Sequence, residues 1–124
     1  MIILEKPFSN EEFVRVNSIE DIKKTKPNET LIFKYCDSSL EVYNFCKINS
    51  IPYAVEISNI KELIFISNLN AKYAFCKDLA TAKKLQEVAE NYLLDTKIIY
   101  LAKSLDEIEK VASYSIDGIK IEKS

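Results

Sequence analysis

The stretch KYAFCKDLATAKKLQEVAENYLLDTKIIYLA, residues 72–102, contains the structural unit that this chain repeats. It opens with KYAFC, a short run of aromatic and apolar residues that is typical of a buried strand. After Asp78, apolar residues recur at helical spacing, at Leu79, Ala82, Leu85, Val88, Ala89 and Tyr92. A second apolar run, KIIYLA, follows at 97–102. The stretch therefore predicts a strand, a helix that packs on it, and a second strand.

The same unit recurs along the rest of the chain. Each predicted helix begins after a small polar side chain that can accept a hydrogen bond from a free amide of the first turn. These residues are Ser18, Ser39, Asn59, Asp78 and Ser104. The predicted strands are FVRV (13–16), TLIFKYC (30–36), PYAVEI (52–57), KYAFC (72–76), KIIYLA (97–102) and IDGIKI (116–121). Strands that alternate with single helices favour a parallel sheet.

Two architectures fit this alternation within one domain, residues 1–124. We expect an α/β fold with an open, mostly parallel sheet of five to six strands and helices on both faces, as in Rossmann and flavodoxin-like proteins. The alternative is half of a (β/α)8 barrel, with all helices on one face. A complete barrel takes about 250 residues, so this chain of 124 residues cannot close one.

Two resemblances support this class of fold. The segments AKYAFCKDLATAKKLQEVAENY and SIDGIKI, both in the C-terminal half of the chain, resemble βα units of barrel enzymes. The whole chain also resembles small bacterial proteins of unknown function that are built from such units. This second resemblance implies the fold only, because that family carries no activity to transfer.

Composition excludes several kinds of site. The chain has no histidine, which removes Ser–His and Cys–His nucleophile pairs and the usual general base at neutral pH. Its single glycine, Gly118, cannot form a glycine-rich phosphate loop. A net charge of −2 and a single arginine, Arg15, disfavour a nucleic-acid partner. We therefore predict no cofactor and no metal site, with the three cysteines reduced and buried.

The expected location is the cytoplasm. No apolar run approaches the roughly 20 residues that cross a bilayer. The first residues, MIILEKPF, are too short and too acidic for a signal peptide. We accordingly expect no membrane partner.

A polar rim is expected where the strands end, because ligands of parallel α/β sheets bind beyond the carboxyl ends of the strands. The residues predicted there are Asp37, Glu56, Lys77, Asp78 and Lys103. They could bind a small molecule, including a phosphorylated one, or carry out acid–base chemistry as an enzyme site. In the simpler interpretation Asp78 caps a helix and the lysines are solvated.

A signalling domain that resembles response-regulator receivers is a further alternative. That resemblance would make Asp37 the acidic residue and Asp78 the phosphoacceptor, with Ser104 and either Lys120 or Lys123 completing the set. It also implies a bound magnesium ion. The sequence departs from the receiver pattern because a second acid beside Asp37 is missing and a strand at 13–16 is added.

The stretch IKELIFISNL, residues 60–69, is apolar on more than one side when drawn as a helix. A surface helix of this kind needs a cover, which indicates a subunit contact in a homodimer through Phe65, Ile66 and Leu69. Our first hypothesis is accordingly a non-enzymatic interaction module that self-associates. A small-molecule site at the rim is the second.

Overall fold

The computed structural model describes residues 1–122. Its strands are β1 (Ile2–Ile3), β2 (Glu12–Arg15), β3 (Glu29–Lys34), β4 (Tyr53–Glu56), β5 (Tyr73–Cys76), β6 (Lys97–Ala102) and β7 (Gly118–Ile121). Its helices are α1 (Ile19–Ile22), α2 (Leu40–Ile48), α3 (Ile60–Asn68), α4 (Leu79–Asn91) and α5 (Ile108–Ser113). Short 3₁₀ turns at Asp37–Ser39 and Leu105–Glu107 precede α2 and α5.

The seven strands of residues 1–122 pair in parallel in one open sheet with the order β1-β7-β6-β5-β4-β3-β2. The predicted parallel α/β class is confirmed, although five to six strands were expected. The additional strand is β1, which pairs with β7 over two residues only. A two-residue strand is too short for a periodic pattern, so the sequence does not reveal it.

The helices pack on one face of the sheet, and the expected placement on both faces is wrong. From β2 to β7 each strand lies beside its predecessor, so every right-handed crossover passes over the same face. A doubly wound sheet needs a reversal of strand order, which is missing from the strands of residues 1–122. The sheet is curled, and the half-barrel alternative describes it.

Two hydrophobic clusters mark the two faces. The larger cluster combines helix residues, such as Tyr43, Leu63 and Leu85, with strand residues such as Val55 and Ile98. We call this side the helix face. The smaller cluster lies on the opposite side, which we call the inner face, and its buried members are Leu4, Ile32, Ala54, Tyr73, Phe75, Ile99 and Leu101. No residue of a described helix belongs to this second cluster, so its members are buried without a helix packed on them.

Four helices end in the same motif although glycine is missing from it. The second residue after each of these helices adopts positive φ, at Ser50, Asn70, Leu93 and Ser115. The next amide then bonds back to the carbonyl five residues earlier, as from Ile51 N to Cys46 O at 2.9 Å. This is the Schellman motif, which glycine usually occupies because side chains disfavour positive φ. The motif thus ends each of these helices shortly before the next strand begins.

Candidate functional site

The inner face is crossed by residues 4–11, which we call the strap. Strands β1 and β2 form the two opposite edges of the sheet, and the strap joins them. Leu4 begins it beside β7, where its amide donates to Ile119 O at 3.0 Å. The Leu4 side chain is 6% exposed and packs in the inner-face cluster. The strap therefore covers a surface that a complete barrel would enclose with further strands.

Glu11 fixes the far end of the strap at the amino end of the strands. Its carboxylate accepts hydrogen bonds from Thr30 Oγ1 at 2.6 Å, Tyr73 OH at 2.6 Å and Lys72 Nζ at 2.9 Å. Burial raises the pKa of Glu11, but these three hydrogen bonds outweigh that effect and leave the pKa below its usual value. Burial and the bond to Glu11 both raise the pKa of Tyr73. The carboxylate is thus held in its charged form.

Glu5 fixes the near end at the carboxyl end of β7. Its Oε2 accepts a hydrogen bond from the Ile121 amide at 3.0 Å and lies 3.4 Å from Lys120 Nζ. Between the two anchored glutamates the strap is exposed, with Phe8 at 64% exposure. The Phe8 side chain accordingly does not fill the inner face.

A cavity of about 540 Å³ lies along this side of the sheet, next to the strap. Its apolar wall comes from strand residues of the inner face: Phe13, Ile32, Phe75 and Leu101. Charged residues at and beyond the carboxyl ends of the strands also line it, namely Arg15, Lys120 and Glu122, together with Glu5 and Lys6 from the strap. The cavity thus combines an apolar wall with charged groups of both signs, which is a common composition for sites that bind small molecules.

Lys120 is the least exposed basic group of the cavity. The residue is 8% exposed, and its ammonium lies 5.1 Å from the centre of the Phe13 ring. An ammonium has three N–H donors. Among residues 1–122 it has one hydrogen-bond acceptor, Glu5 at 3.4 Å. The buried ammonium therefore retains donor capacity beside the cavity.

Four side chains of alternating charge run along the carboxyl ends of the strands. Arg15 Nη2 lies 4.0 Å from Glu56 Oε1, and Lys77 Nζ lies 3.5 Å from Glu56 Oε2 and 3.0 Å from Glu122 Oε2. The carboxylates of Glu122 and Glu56 raise the pKa of Lys77. The side chain of Glu56 is 12% exposed and that of Arg15 is 60% exposed. The Arg15 side chain is thus largely in solvent, while the Glu56 side chain is nearly buried.

Lys77 and Glu122 form a close ion pair at the carboxyl ends of the strands. Glu122 Oε2 is buried and lies 3.0 Å from Lys77 Nζ, and among the residues described no group other than this ammonium pairs with it. Buried carboxylate oxygens are nearly always hydrogen-bonded. The ammonium of Lys77 therefore balances the charge of this buried oxygen.

Of the five rim residues predicted from sequence, the structure brings Glu56 and Lys77 together. Asp78 instead caps α4, where its Oδ2 accepts from the Thr81 amide at 2.9 Å. The hydrogen bonds from Thr81 lower the pKa of Asp78. The Asp78 carboxylate is therefore engaged by its own helix.

The other two predicted rim residues also serve local contacts. Asp37 accepts a hydrogen bond from Tyr35 OH at 2.9 Å. Lys103 is exposed, and its amide donates to Glu107 Oε2 at 2.9 Å. Neither residue lines the cavity.

The receiver-like set is also dispersed. Ser104 accepts from the Asp106 amide at 3.1 Å as the cap of a 3₁₀ turn, while Lys120 contacts Glu5. Lys123 lies outside the described residues. Among the residues described, no group of three His, Cys, Asp or Glu side chains could hold a metal ion.

Helix α3 divides the predicted contact residues between core and surface. Ile66 is fully buried in the larger cluster, and Leu69 is partly buried and packs against that cluster. Phe65 is 39% exposed and Ile60 is 44% exposed. Because Ile66 faces the sheet, the apolar surface of this helix is narrower than the sequence pattern indicates.

Sequence reasoning missed Glu5, Glu11 and Arg15 as site residues, and it proposed Lys120 only for the receiver-like set. The position of Lys120 inside the apolar strand GIKI was the one signal in the sequence, because a lysine in a buried strand needs a charged or polar partner. The cysteines were expected to be buried, and Cys46 and Cys76 are, but Cys36 is exposed.

No helix within residues 1–122 has both the length and the apolar character needed to cross a bilayer. Neither a protein-family model nor a curated protein matches the sequence. The geometry of the inner face is therefore the basis on which a function can be argued.

Proposed function

We propose that this protein binds a small charged molecule in the cavity beside the strap. The observation that carries the proposal is Lys120, an ammonium that is 8% exposed, lines the cavity and has one long hydrogen bond among the described residues. Burying an ammonium is unfavourable unless its donors are paired. A ligand with an acceptor group would fill the remaining donors.

Position and size support this proposal. Ligands of parallel α/β folds bind beyond the carboxyl ends of the strands, which is where Arg15, Lys120 and Glu122 line the cavity. Small-molecule sites commonly measure about 300–1,000 Å³, and the cavity of about 540 Å³ falls in this interval. Phe13 and Phe75 supply an apolar wall for the body of a ligand.

A thermal-shift screen tests the proposal. Compounds of anionic, cationic, zwitterionic and neutral classes are added to the wild type, to Lys120→Met and to Lys24→Met. Lys24 is an exposed lysine next to α1 and provides the matched control. At least one class should raise the Tm of the wild type and of Lys24→Met, and the rise should be lost in Lys120→Met.

A second variant protects the test against a folding defect in Lys120→Met. Arg15→Gln changes a side chain that is 60% exposed, so folding should be unaffected while ligand stabilisation falls. If no compound class stabilises the wild type, or if both variants respond as the wild type does, the proposal is wrong.

Self-association through α3 is a second candidate function, favoured by the partial exposure of Ile60 and Phe65 on one helix. The two partners would form a homodimer. Light scattering at micromolar concentration compares the wild type with Phe65→Glu, which should be monomeric. A monomeric wild type would remove this candidate.

A further inference from the structure

We infer that Lys120 forms a Schiff base with a small aldehyde or ketone in the cavity beside the strap. This inference rests on the proposed function, because the carbonyl compound must first bind in that cavity, and it adds a covalent step to binding. Three features of the inner face support it: the position of the amine, the carboxylate next to it, and the surroundings that meet the carbonyl compound.

The Lys120 side chain lies on the inner face of the sheet. Its neighbour Ile119 packs in the larger cluster under the helices, so the alternation of side chains along β7 turns Lys120 to the opposite face. Its partner on the adjacent strand is Leu101, a member of the inner-face cluster. Lys120 is 8% exposed and lines the cavity. A molecule in the cavity can therefore meet this side chain, which is otherwise shielded from water.

The strap can be held without this lysine. Glu5 Oε2 accepts a hydrogen bond from the Ile121 amide at 3.0 Å, which is shorter than its contact of 3.4 Å with Lys120 Nζ. That backbone bond does not depend on which side chain occupies position 120. An amine in an apolar sheet is unfavourable compared with an apolar side chain, so its presence needs another reason. Buried lysines serve enzymes as nucleophiles toward carbonyl groups, which is the role we assign to Lys120.

The carboxylate of Glu5 can move the protons that this reaction requires. Only the neutral amine attacks a carbonyl carbon, so the ammonium must first give up a proton. Among residues 1–122, Glu5 is the one acidic partner of this ammonium, with Oε2 at 3.4 Å from Nζ. Contacts of this kind are often long in the absence of substrate and shorten when it binds. Glu5 is therefore the acid–base partner of Lys120.

The step conserves atoms, charge and electrons. Glu5 takes one proton from the ammonium. The lone pair of Nζ then bonds to the carbonyl carbon, the π electrons move to oxygen, and a proton passes from nitrogen to that oxygen to give a carbinolamine. The nitrogen lone pair next forms the C=N bond while the C–O bond breaks, and the oxygen leaves as water with the proton that Glu5 returns. The products are a protonated Schiff base and one water, and nothing is oxidised or reduced.

The surroundings favour an uncharged reacting group. Acidic residues outnumber basic residues by four to three in the lining of the cavity, which contains Glu5, Glu11, Glu12 and Glu122 with Lys6, Arg15 and Lys120. An anionic group is therefore disfavoured beside Lys120, whereas a carbonyl is uncharged and offers its oxygen as an acceptor. Phe13, whose ring centre lies 5.1 Å from Nζ, and Phe75 provide apolar walls for the rest of the molecule.

Reductive trapping with benzaldehyde tests the inference. The full chain is treated with a low concentration of benzaldehyde and with sodium cyanoborohydride, which reduces a Schiff base to a stable benzylamine. Peptide mass spectrometry then gives the rate of modification at each lysine. We expect Lys120 to react at least about tenfold faster than Lys24, because binding places the carbonyl beside the amine and Glu5 assists the proton transfers. A lysine that is only buried in an ion pair would react more slowly than the exposed Lys24.

Glu5→Gln tests the proton transfer. The variant keeps an oxygen that can accept from the Ile121 amide, so its Tm should match that of the wild type. Modification at Lys120 should slow by about tenfold, because an amide does not accept the proton, while the rate at Lys24 stays the same. Lys120 reacting no faster than Lys24 in the wild type, or an unchanged rate at Lys120 in Glu5→Gln, would overturn the inference. The proposed binding function would survive either result if a compound class still stabilises the wild type through Lys120.

Discussion

Replacement of Glu11 tests whether its carboxylate, which accepts three side-chain hydrogen bonds, holds the strap to the inner face. In Glu11→Ala, Tyr73 OH and Thr30 Oγ1 lose their acceptor, and both residues are buried, at 5% and 3% exposure. An unsatisfied buried group costs about 1–3 kcal/mol. The two groups together predict a loss of about 2–6 kcal/mol in the free energy of unfolding. Glu11→Gln keeps one oxygen and should lose about 1–3 kcal/mol.

The stabilisation by Glu11 should depend on pH. The pKa of Glu11 in the folded protein lies below its usual value of 4.5. A depressed folded pKa stabilises the protein above the unfolded pKa, and that contribution disappears as the pH falls through the folded pKa. The difference in the free energy of unfolding between wild type and Glu11→Gln should therefore be largest near neutral pH. It should decrease in acid, below the usual glutamate pKa.

Urea unfolding followed by circular dichroism measures both effects. Glu90→Gln, which changes an exposed glutamate on α4, is the matched control and should unfold as the wild type does at both pH values. Equal midpoints for wild type and Glu11→Gln at neutral pH would refute the assignment of Glu11 as an anchor. A difference that stays constant into acid would refute its electrostatic origin.

Two further predictions concern the backbone. Leu93 is 86% exposed at a φ of 53°, so Leu93→Gly should stabilise the fold by about 0.5–1 kcal/mol as a higher Tm, whereas Tyr92→Gly at negative φ should lower the Tm. Gly118→Ala would place a Cβ 2.6 Å from Ile2 O, so β1 must shift, and we expect a loss of about 1–3 kcal/mol in urea unfolding. A lower Tm for Leu93→Gly, or an unchanged midpoint for Gly118→Ala, would contradict these assignments.

Local chemistry allowed the elements to be predicted from the sequence. Ser18, Asn59 and Asp78 each accept a hydrogen bond from the first turn of their helix, as expected from side chains that satisfy free amides. Ser39 does not, because a 3₁₀ turn precedes α2. Helix starts were thus predictable where one side chain decides them.

The choice of face was not predictable in the same way. In KIIYLA, residues Ile98 and Tyr100 pack under the helices while Ile99 and Leu101 pack on the inner face. Because both sets are apolar, the sequence pattern cannot show which side carries helices. Strand order decides that question, and it is a property of the whole sheet.

The candidate site could be predicted only in part for a related reason. Glu56 ends β4 and Lys77 follows the neighbouring strand β5, so their contact follows from the parallel arrangement. The contact of Glu5 with Lys120 joins the two ends of the chain and depends on β1 pairing with β7. A pairing of two residues leaves no signal in the sequence from which that contact could be inferred.

The central claim is that ligands bind on the inner face at the carboxyl ends of the strands. Amide chemical-shift mapping by ¹⁵N NMR, with the compound that most stabilises the wild type, tests it directly. We predict that the largest changes occur at Phe13, Phe75, Lys120 and Ile121, all of which line the cavity. Changes confined to the opposite end of the strands, around Lys47 and Lys97, would contradict the claim.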